Sequence, residues 1–346
     1  MKKIAGINGF GRFGLHLLKY WLDRASISNF NIGYINDDTI TIDQALDMLN
    51  NDNKVIFSKY RIKKLGNHIR ILEPNGSFYE IEFTNSQIDK INWIGEPDYF
   101  FECSGKNTTK KDCLQFIKEK TKLVLISATS WDADGTYVYG FNHQALSNED
   151  KIISYGSCTV NAYVPFANFI NQTYSIIDSD VSVIHNIQEY KLKQQNTLTR
   201  KVCTLEKSGP SLLDCINKNN FVVNYTVIPY SGTSLIDFRF KVNKEINYDK
   251  FILDLNHAIY EGSLKNLYDI DEVDKGPEIY NCSTYSSVFI KKNIRILNNQ
   301  IYLQAYFDNE NSVNRYYDLS MFQDTFIIWE TSFSKAFSLD PLGFGF

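Results

Sequence analysis

Apolar runs and amphipathic segments alternate along the first half of this chain. Short apolar runs predict strands at residues 3–8, 31–36, 98–103, 123–128 and 152–153. Apolar residues at helical spacing predict helices at 16–22, 41–49 and near 110–120, and alternation around Asn75-Gly76 predicts a hairpin within 61–84. Strands that alternate with helices are typical of a doubly wound parallel sheet of the Rossmann type. We therefore expect an α/β nucleotide-binding domain at residues 1–157.

The pattern changes after residue 157. Runs with period-2 alternation predict strands at 181–186, 221–228, 234–242, 286–290 and 300–307, and residues 251–259 form a clear helical segment. Alternating strands with few helices between them favour a mainly antiparallel sheet that carries helices on one face. We therefore expect a second, α+β domain at residues 158–311, which would be the catalytic one.

Residues 154–161 (SYGSCTVN) join the two halves, with Cys158 at their centre. The apolar run before them and the helical pattern at 162–170, with Pro165 placed in the first helical turn, predict a strand, a tight turn and a helix. Cys158 would then lie at a helix N-terminus. Free backbone N–H groups there favour a thiolate, and they could hold the oxyanion formed when that thiolate attacks a carbonyl. The alternative is that Cys158 packs in the core, as free cysteines often do.

A GxGxxG pattern at residues 9–14 follows the first predicted strand and precedes the first predicted helix. In that context it indicates a dinucleotide-binding turn, because its glycines let the backbone approach a pyrophosphate at the helix N-terminus. The alternative is a βαβ turn that binds nothing. The cofactor-binding residues expected in this turn are Gly9, Gly11, Arg12, Phe13 and Gly14.

Asp37 follows the second predicted strand, 23 residues past the last glycine of the pattern, which is the place for a carboxylate that holds an adenosine ribose. A carboxylate there repels a 2′-phosphate, so NAD is favoured over NADP, and the adjacent Asp38 leaves the ribose ligand open between the two. Ser104 and Ser127 also lie near strand ends. Because ligands of such sheets bind at the carboxyl ends of the strands, we expect these side chains and Cys158 to converge on one crevice.

A thiohemiacetal on the cysteine can be oxidised only if a base takes its hydroxyl proton. His185 lies at the end of the predicted strand 181–186, 27 residues after Cys158, which allows a helix and a strand to return it to the thiol. The alternative is a structural histidine at a strand end. The remaining histidines lie on predicted helices (His16 and His257), on the hairpin (His68) and on a loop (His143).

Composition limits the possible functions. The 346 residues, 43% of them hydrophobic, suffice for two domains. A net charge of -4 with interspersed signs indicates neither a nucleic-acid footprint nor a basic membrane face. No apolar run approaches the ~18 residues of a membrane span. The six cysteines are scattered without a CxxC pair, so we expect no disulfide framework, no metal site and a cytoplasmic location.

These motifs together resemble the phosphorylating glyceraldehyde-3-phosphate dehydrogenases and the related erythrose-4-phosphate dehydrogenases. The resemblance covers about residues 3–320 and implies NAD-dependent oxidation of a small-molecule aldehyde by a homo-oligomer, either a dimer or a tetramer. The segments that carry it are INGFGRFG at 7–14, ND at 36–37, ISA at 126–128, GFNH at 140–143, SCTVN at 157–161, His185, DNE at 308–310, NR at 314–315 and DL at 318–319.

The resemblance also assigns roles that local patterns do not. It implies that Asn309 holds the nicotinamide carboxamide, and that Ser157, Thr159 and Ser208-Gly209 bind an attacking inorganic phosphate. It implies further that a final helix at about 312–322 returns to the nucleotide-binding domain. Residues 312–346 would then be that helix and a tail.

The chain departs from the family where the substrate phosphate should bind. Residues NIQEYK at 186–191 replace the family's Tyr-Thr-Ala-Thr-type run, and Val227 stands in place of a phosphate-binding arginine, whose bidentate guanidinium an apolar side chain cannot replace. Glu189 would repel a phosphate, and Arg239 lies on an alternating strand where we expect it to face solvent. Residues NSV at 311–313 replace an aromatic run over the nicotinamide. The loop between His185 and Ser208 is shorter than the family's interface loop, which leaves the tetramer open.

The sequence therefore supports one leading hypothesis and three alternatives. The leading hypothesis is NAD-dependent oxidation of an aldehyde through a Cys158 thiohemiacetal and thioester, with His185 as base and thiolate partner and with phosphate or water releasing the product. The alternatives are the same chemistry on a different, non-phosphorylated aldehyde in a specialised pathway, an NAD-binding or regulatory protein that has lost catalysis, and a semialdehyde dehydrogenase.

Overall fold

Two β-sheets organise the molecule, which the computed structural model describes over residues 2–307 and 312–322. The strands of the first sheet are, in chain order, β1 (Lys3–Asn8), β2 (Phe30–Asn36), β3 (Arg61–Leu65), β4 (His68–Leu72), β5 (Phe78–Thr84), β6 (Tyr99–Glu102), β7 (Leu123–Ile126), β8 (Gly135–Thr136) and β9 (Ile152–Ser154). Their spatial order is β3-β4-β5-β2-β1-β6-β7-β9-β8.

The centre of the first sheet is parallel. β1 pairs in parallel with β2 and β6, and β7 and β9 continue the same direction, so the carboxyl ends of these strands lie along one edge. This arrangement confirms the predicted doubly wound α/β class. The segment predicted as one hairpin forms three strands, because a turn at Gly66-Asn67 reverses the chain once before the predicted turn at Asn75-Gly76.

The second sheet follows residue 175 and is mainly antiparallel, as predicted. Its strands are β10 (Ile176–His185), β11 (Thr199–Arg200), β12 (Phe221–Val227), β13 (Ser234–Val242), β14 (Tyr268–Asp271), β15 (Ser287–Ile290), β16 (Arg295–Leu297) and β17 (Gln300–Phe307). Their order is β11-β12-β10-β13-β17-β15-β14, with β16 on β17. β10 and β12 are parallel partners because the connection between them, which includes a helix, returns the chain to the same end of the sheet.

The helices of the described residues are α1 (Arg12–Asp23), α2 (Ile42–Asn51), α3 (Lys110–Cys113), α4 (Cys158–Tyr174), α5 (Leu205–Leu212), α6 (Tyr248–Tyr260) and α7 (312–322). The long helix predicted near 110–120 is wrong. α3 gives way to a 3₁₀ turn at Leu114–Phe116, which turns the Phe116 ring inward to stack on Phe100 at 4.0 Å between centroids. α5 was not predicted from the sequence, because Gly209 and Pro210 are residues that usually interrupt helices.

Each sheet has its own hydrophobic core. The first core contains residues of α1, of the parallel strands and of α7, including Val313 and Leu319, and the second lies between α4 and the antiparallel sheet. The hydroxyl of Tyr316 in α7 donates to the Leu125 carbonyl of β7 at 2.6 Å. α7 therefore packs on the first sheet although it follows the second sheet in the chain.

Candidate active site

Cys158 is the first residue of α4, as the sequence pattern predicted. The chain leaves β9 and turns at Gly156, whose φ of +87° is a conformation that side chains other than glycine rarely adopt. Ser157 caps the helix, because its Oγ accepts a hydrogen bond from the Val160 N–H at 3.3 Å. The positive end of a 17-residue helix therefore lies at the cysteine, which favours negative charge on sulfur.

The predicted place of Pro165 is wrong. It lies seven residues after Cys158, inside α4 rather than in its first turn, so the Asn161 carbonyl loses the N–H partner that a helix would supply. The hydroxyl of Tyr268 lies 3.0 Å from that carbonyl and accepts a hydrogen bond from the Phe166 N–H at 3.3 Å. A tyrosine from β14 thus replaces the missing helical bond, and the proline is tolerated close to the cysteine.

The thiol of Cys158 faces His185, the last residue of β10. The Sγ and Nε2 atoms are 3.5 Å apart, and Nδ1 of the same ring lies 2.8 Å from the carbonyl oxygen of Asn186. A carbonyl can only accept, so Nδ1 carries a proton and the neutral ring presents the Nε2 lone pair to sulfur. Burial lowers the pKa of His185 below its ordinary value of 6.5. The ring is therefore neutral near neutral pH, and its Nε2 can accept a hydrogen bond from the thiol.

Apolar groups surround the imidazole on the sheet side. Val227 is the register partner of His185 on β12 and is 5% exposed. The ring of Tyr225, two residues earlier on β12, lies 5.4 Å from the imidazole, and the ring of Phe307 lies 5.9 Å away on another side. The position that the resemblance gives to an arginine is therefore occupied by a buried valine directly beside His185.

Hydroxyl groups cluster around the start of α4. Ser157 Oγ lies 3.1 Å from Thr159 Oγ1 and accepts a hydrogen bond from Thr204 Oγ1 at 3.3 Å. The structure does not bring Ser208 and Gly209 to this cluster. Both are buried inside α5, where the Ser208 hydroxyl donates to the Thr204 carbonyl at 3.0 Å. Thr204, at the N-terminal end of α5, takes the place expected for them.

A cavity of about 280 Å³ opens beside Cys158. It includes residues from the parallel sheet, from the α4 turn and from the segment after His185, so it lies where the two sheets meet. Sequence reasoning missed Gln188, Thr204 and Thr129 as lining residues. The complete lining is Arg12, Phe13, Ser127, Ala128, Thr129, Tyr155, Ser157, Cys158, Gln188, Thr204 and Val313.

The glycine turn between β1 and α1 has the close approaches that this motif requires. A Cβ on Gly9, whose φ is +97°, would lie 2.4 Å from the Ser104 amide nitrogen, and a Cβ on Gly14 would lie 2.2 Å from the Gly9 carbonyl oxygen. A Cβ on Gly11 would meet no atom within 4 Å. Gly9 and Gly14 therefore allow tight packing of strand, turn and helix. Gly11 faces open space at the helix N-terminus.

Asp37 lies at the strand edge, but both of its carboxylate oxygens already accept hydrogen bonds from the protein backbone. Its Oδ2 accepts from the Phe10 N–H at 2.7 Å, and its Oδ1 accepts from the N–H groups of Thr39 and Ile40 at 2.8 Å. Asp38, in contrast, lines a second cavity of about 140 Å³ that Gly9 and Ser104 also line, and it pairs with Lys106 at 2.5 Å. The structure thus places Asp38 toward the crevice and uses Asp37 to hold the glycine turn.

Glu102 is a buried carboxyl at the end of β6 that sequence reasoning missed. It accepts hydrogen bonds from the Asn8 amide at 2.7 Å and from the Ser104 N–H at 2.9 Å. Burial raises its pKa, and these donors act in the opposite direction. Glu102 therefore ties the ends of β1 and β6 together beneath the crevice. A carboxylate inside the apolar run 99–102 was the signal that could have found it.

Other expectations meet the structure as follows. Asn309, to which the resemblance gives the nicotinamide carboxamide, lies outside the described residues. All six cysteines are free, and no cluster of metal-binding side chains occurs among the residues that the structure covers. Within the same residues, no helix is long and apolar enough to cross a membrane.

A scan against protein-family models finds no match for this chain. Among curated proteins, it is 28% identical over 338 residues to glyceraldehyde-3-phosphate dehydrogenase 2 of Caenorhabditis briggsae, covering 92% of this chain and 97% of that protein. It is 27% identical to the glyceraldehyde-3-phosphate dehydrogenase of Sclerotinia sclerotiorum, covering 90% and 94%. The enzyme of that name from Ogataea parapolymorpha is 36% identical over 183 residues, covering 53% and 52%.

The parallel sheet with its glycine turn is joined through the cysteine-bearing helix to an antiparallel sheet, which defines a two-sheet α/β protein. The chain is a divergent relative of the glyceraldehyde-3-phosphate dehydrogenases, similar to them over nearly its whole length.

Proposed function

We propose that this protein oxidises an aldehyde with NAD, through a thiohemiacetal and then a thioester on Cys158. The observation that carries the proposal is the 3.5 Å approach of Cys158 Sγ to His185 Nε2, in a ring whose other nitrogen is held by the Asn186 carbonyl. A nucleophile, a base and a group that orients the base are the minimum set for covalent catalysis at a carbonyl.

The crevice suits a dinucleotide. Gly11 leaves open space at the N-terminus of α1, and that helix has no acidic residue in its first turn, so its N–H groups can receive phosphate oxygens. Gly9, Arg12, Phe13 and Gly14 would form the turn around the pyrophosphate, with Ser104 and Ser127 farther along the crevice. Asp38 and Asp37 place negative charge at the ribose end, which favours NAD over NADP. A nicotinamide ring supplies the hydride acceptor that the oxidation requires.

His185 and the α4 turn carry the proton and charge transfers. His185 takes the thiol proton as sulfur attacks the aldehyde carbon, and the new oxyanion forms at the positive end of α4. His185 would then return that proton to the oxyanion, which gives the thiohemiacetal, and would take it back as the hydrogen on the former aldehyde carbon leaves as hydride; a thioester would remain on Cys158. The buried, neutral ring is suited to this second step.

The hydroxyl cluster of Ser157, Thr159 and Thr204 suits the group that releases the acyl chain. Inorganic phosphate bound there would lie beside the sulfur and close to the helix N-terminus. Attack by phosphate breaks the thioester C–S bond and gives an acyl phosphate and a thiolate, whereas attack by water gives a carboxylate. Both outcomes belong to the proposal, and the product distinguishes them.

The two sheets would divide the work. Residues 1–157 would hold the cofactor, residues 158–311 would carry Cys158 and His185, and residues 312–346 would begin with α7 on the first sheet. The partners in this proposal are a small-molecule aldehyde, inorganic phosphate and further copies of the chain in a homo-oligomer.

The test is NADH formation with NAD and a panel of aldehydes, with and without phosphate, for wild type, Cys158→Ala and Cys215→Ala. Cys215 is a partly buried cysteine of the second domain that does not line the cavity, so its variant is the matched control. We expect wild type and the control to form NADH and Cys158→Ala to form none. Turnover that survives Cys158→Ala contradicts the mechanism. NAD binding without turnover of any aldehyde identifies a binding protein instead.

A further inference from the structure

We infer that the aldehyde carries an uncharged tail rather than a phosphate ester, and that Val227 and Tyr225 are the residues that determine this. The inference rests on the proposed function and adds the substrate class. It depends on which side chains surround the catalytic pair, and on how two arginines, Arg12 and Arg239, are held.

The wall behind His185 is filled by apolar groups. Residues of parallel partner strands in register lie on the same face, so Val227 stands beside His185, with Tyr225 next to it on that face. Val227 is 5% exposed, and the Tyr225 ring lies 5.4 Å from the imidazole. Burial raises the pKa of Tyr225, which is therefore a neutral phenol. Neither residue can balance the charge of a phosphate.

The open side of the cysteine is lined by uncharged side chains as well. Ser157, Gln188 and Thr204 offer hydroxyl and amide groups to a ligand in the cavity. Arg12 is the one cation among the lining residues described, and its guanidinium already contacts the carboxylate of Asp52 and lies 3.1 Å from His16 Nε2. Its charge is therefore compensated within the protein.

Arg239 does not act as a displaced phosphate clamp. Its guanidinium contacts the carboxylates of Asp178, at 2.7 Å, and of Asp180. Asp180, its register partner on β10, is five residues from His185, which corresponds to about 17 Å along a strand. Arg239 also alternates with the buried Phe238 and so lies on the outer face of the sheet. Both its pairing and its face separate it from the thiol.

Electrostatics then disfavours a phosphorylated tail. A phosphate monoester carries a charge of about -1.5 to -2. The imidazolium that forms when His185 takes the thiol proton balances only the thiolate, so the charge of about +0.5 at the start of α4 is what remains for the phosphate, and the oxyanion shares it. In contrast, hydroxyl groups on a neutral tail can exchange hydrogen bonds with Gln188 and Thr204 at no cost in buried charge.

The experiment compares glyceraldehyde with glyceraldehyde 3-phosphate as substrates, using NADH formation. We expect wild type to have a higher kcat/KM for the unphosphorylated aldehyde. Val227→Arg should raise kcat/KM for the phosphorylated aldehyde on the order of tenfold or more, as expected for a charge-assisted bidentate contact. Val222→Arg is the matched control, because it adds the same charge on the exposed face of β12 and should leave the preference unchanged.

The outcomes separate the two proposals. Cys158-dependent NADH formation with a tenfold preference of wild type for the phosphorylated aldehyde overturns the inference and leaves the proposed function standing. No Cys158-dependent NADH with either aldehyde overturns both. If Val227→Arg does not fold, the inference is tested by the protection of wild-type Cys158 from alkylation. Glyceraldehyde should protect the thiol at a lower concentration than glyceraldehyde 3-phosphate does. The reverse order of protection overturns the inference.

Discussion

The Sγ atom of Cys158 lies 3.5 Å from Nε2 of His185, although 27 residues separate them in the chain. One residue begins a helix and the other ends a strand, so neither side chain depends on a flexible loop for its position. The Asn186 carbonyl fixes the tautomer from within the same segment. This relationship leads to the first of five predictions.

His185→Gln should slow alkylation of Cys158 by iodoacetamide at neutral pH and lower kcat/KM by about 10²- to 10⁴-fold, the usual contribution of a general base. In wild type, burial lowers the pKa of His185, so the ring stays neutral somewhat below pH 6.5. The alkylation rate and kcat/KM should therefore begin to decrease only at a pH lower than 6.5. Protonation of the ring at lower pH removes the acceptor. An unchanged alkylation rate in His185→Gln would contradict the proposed pairing.

The same lowered pKa has a consequence for stability. In the unfolded chain His185 has a pKa near 6.5, which is higher than its pKa in the folded chain. As the pH falls, the unfolded chain therefore binds this proton first. The unfolded state therefore binds more protons as the pH falls below that value, and the free energy of unfolding should decrease in this range. Chemical unfolding of wild type and His185→Gln at pH 7 and pH 5 measures the difference, and wild type should lose more stability between these values.

The glycine turn makes opposite predictions for two neighbouring glycines. Gly14→Ala should destabilise the protein by about 1–3 kcal/mol, because its Cβ would lie 2.2 Å from the Gly9 carbonyl oxygen. Gly11→Ala meets no atom within 4 Å and should cost at most about 1 kcal/mol, for the loss of glycine at the N-cap, while weakening NAD binding. Urea unfolding and calorimetric NAD titration measure the two effects. Normal NAD affinity in Gly11→Ala would show that the turn does not approach the cofactor.

Substitutions of Asp37 and Asp38 should have different effects, the first on protein stability and the second on the preference for NAD over NADP. Asp37→Asn should lower the free energy of unfolding by about 1–3 kcal/mol. The amide has one accepting oxygen, so it cannot accept both the hydrogen bond from the Phe10 N–H and those from the Thr39 and Ile40 N–H groups. Asp38→Asn should leave stability nearly unchanged but release Lys106, and the preference for NAD over NADP should then fall about tenfold. Thermal unfolding and the two cofactor affinities decide. A change in preference in Asp37→Asn alone would assign the ribose to Asp37.

Tyr268→Phe should destabilise the protein by about 1–3 kcal/mol, because the Asn161 carbonyl that Pro165 leaves unpaired would lose its buried partner. Tyr260→Phe is the matched control, since this tyrosine is 55% exposed and its change should stay within about 0.5 kcal/mol. Urea unfolding measures both variants. Equal stability of the two would mean that the carbonyl finds another partner when the hydroxyl is removed.

Local patterns in the sequence determined the elements that carry the site. The apolar strand, glycine pattern and amphipathic helix fixed β1, the turn and α1, because each depends on neighbours within a few residues. Cys158 at the start of α4 and His185 at the end of β10 followed from the same periodicities. The resemblance to the family also implied that Val227 stands where that family carries a phosphate-binding arginine.

Only the tertiary structure decided which of these residues meet. Thr204 rather than Ser208 and Gly209 joins the hydroxyl cluster, because α5 buries the latter two. Asp37 holds the glycine turn, while Asp38 faces the crevice. These outcomes arise from the pairing of distant strands and from the need of every buried polar group for a partner. Partners far apart in the chain leave no periodic signal in the sequence, so the 3.5 Å contact of Cys158 and His185 exists only in the folded molecule.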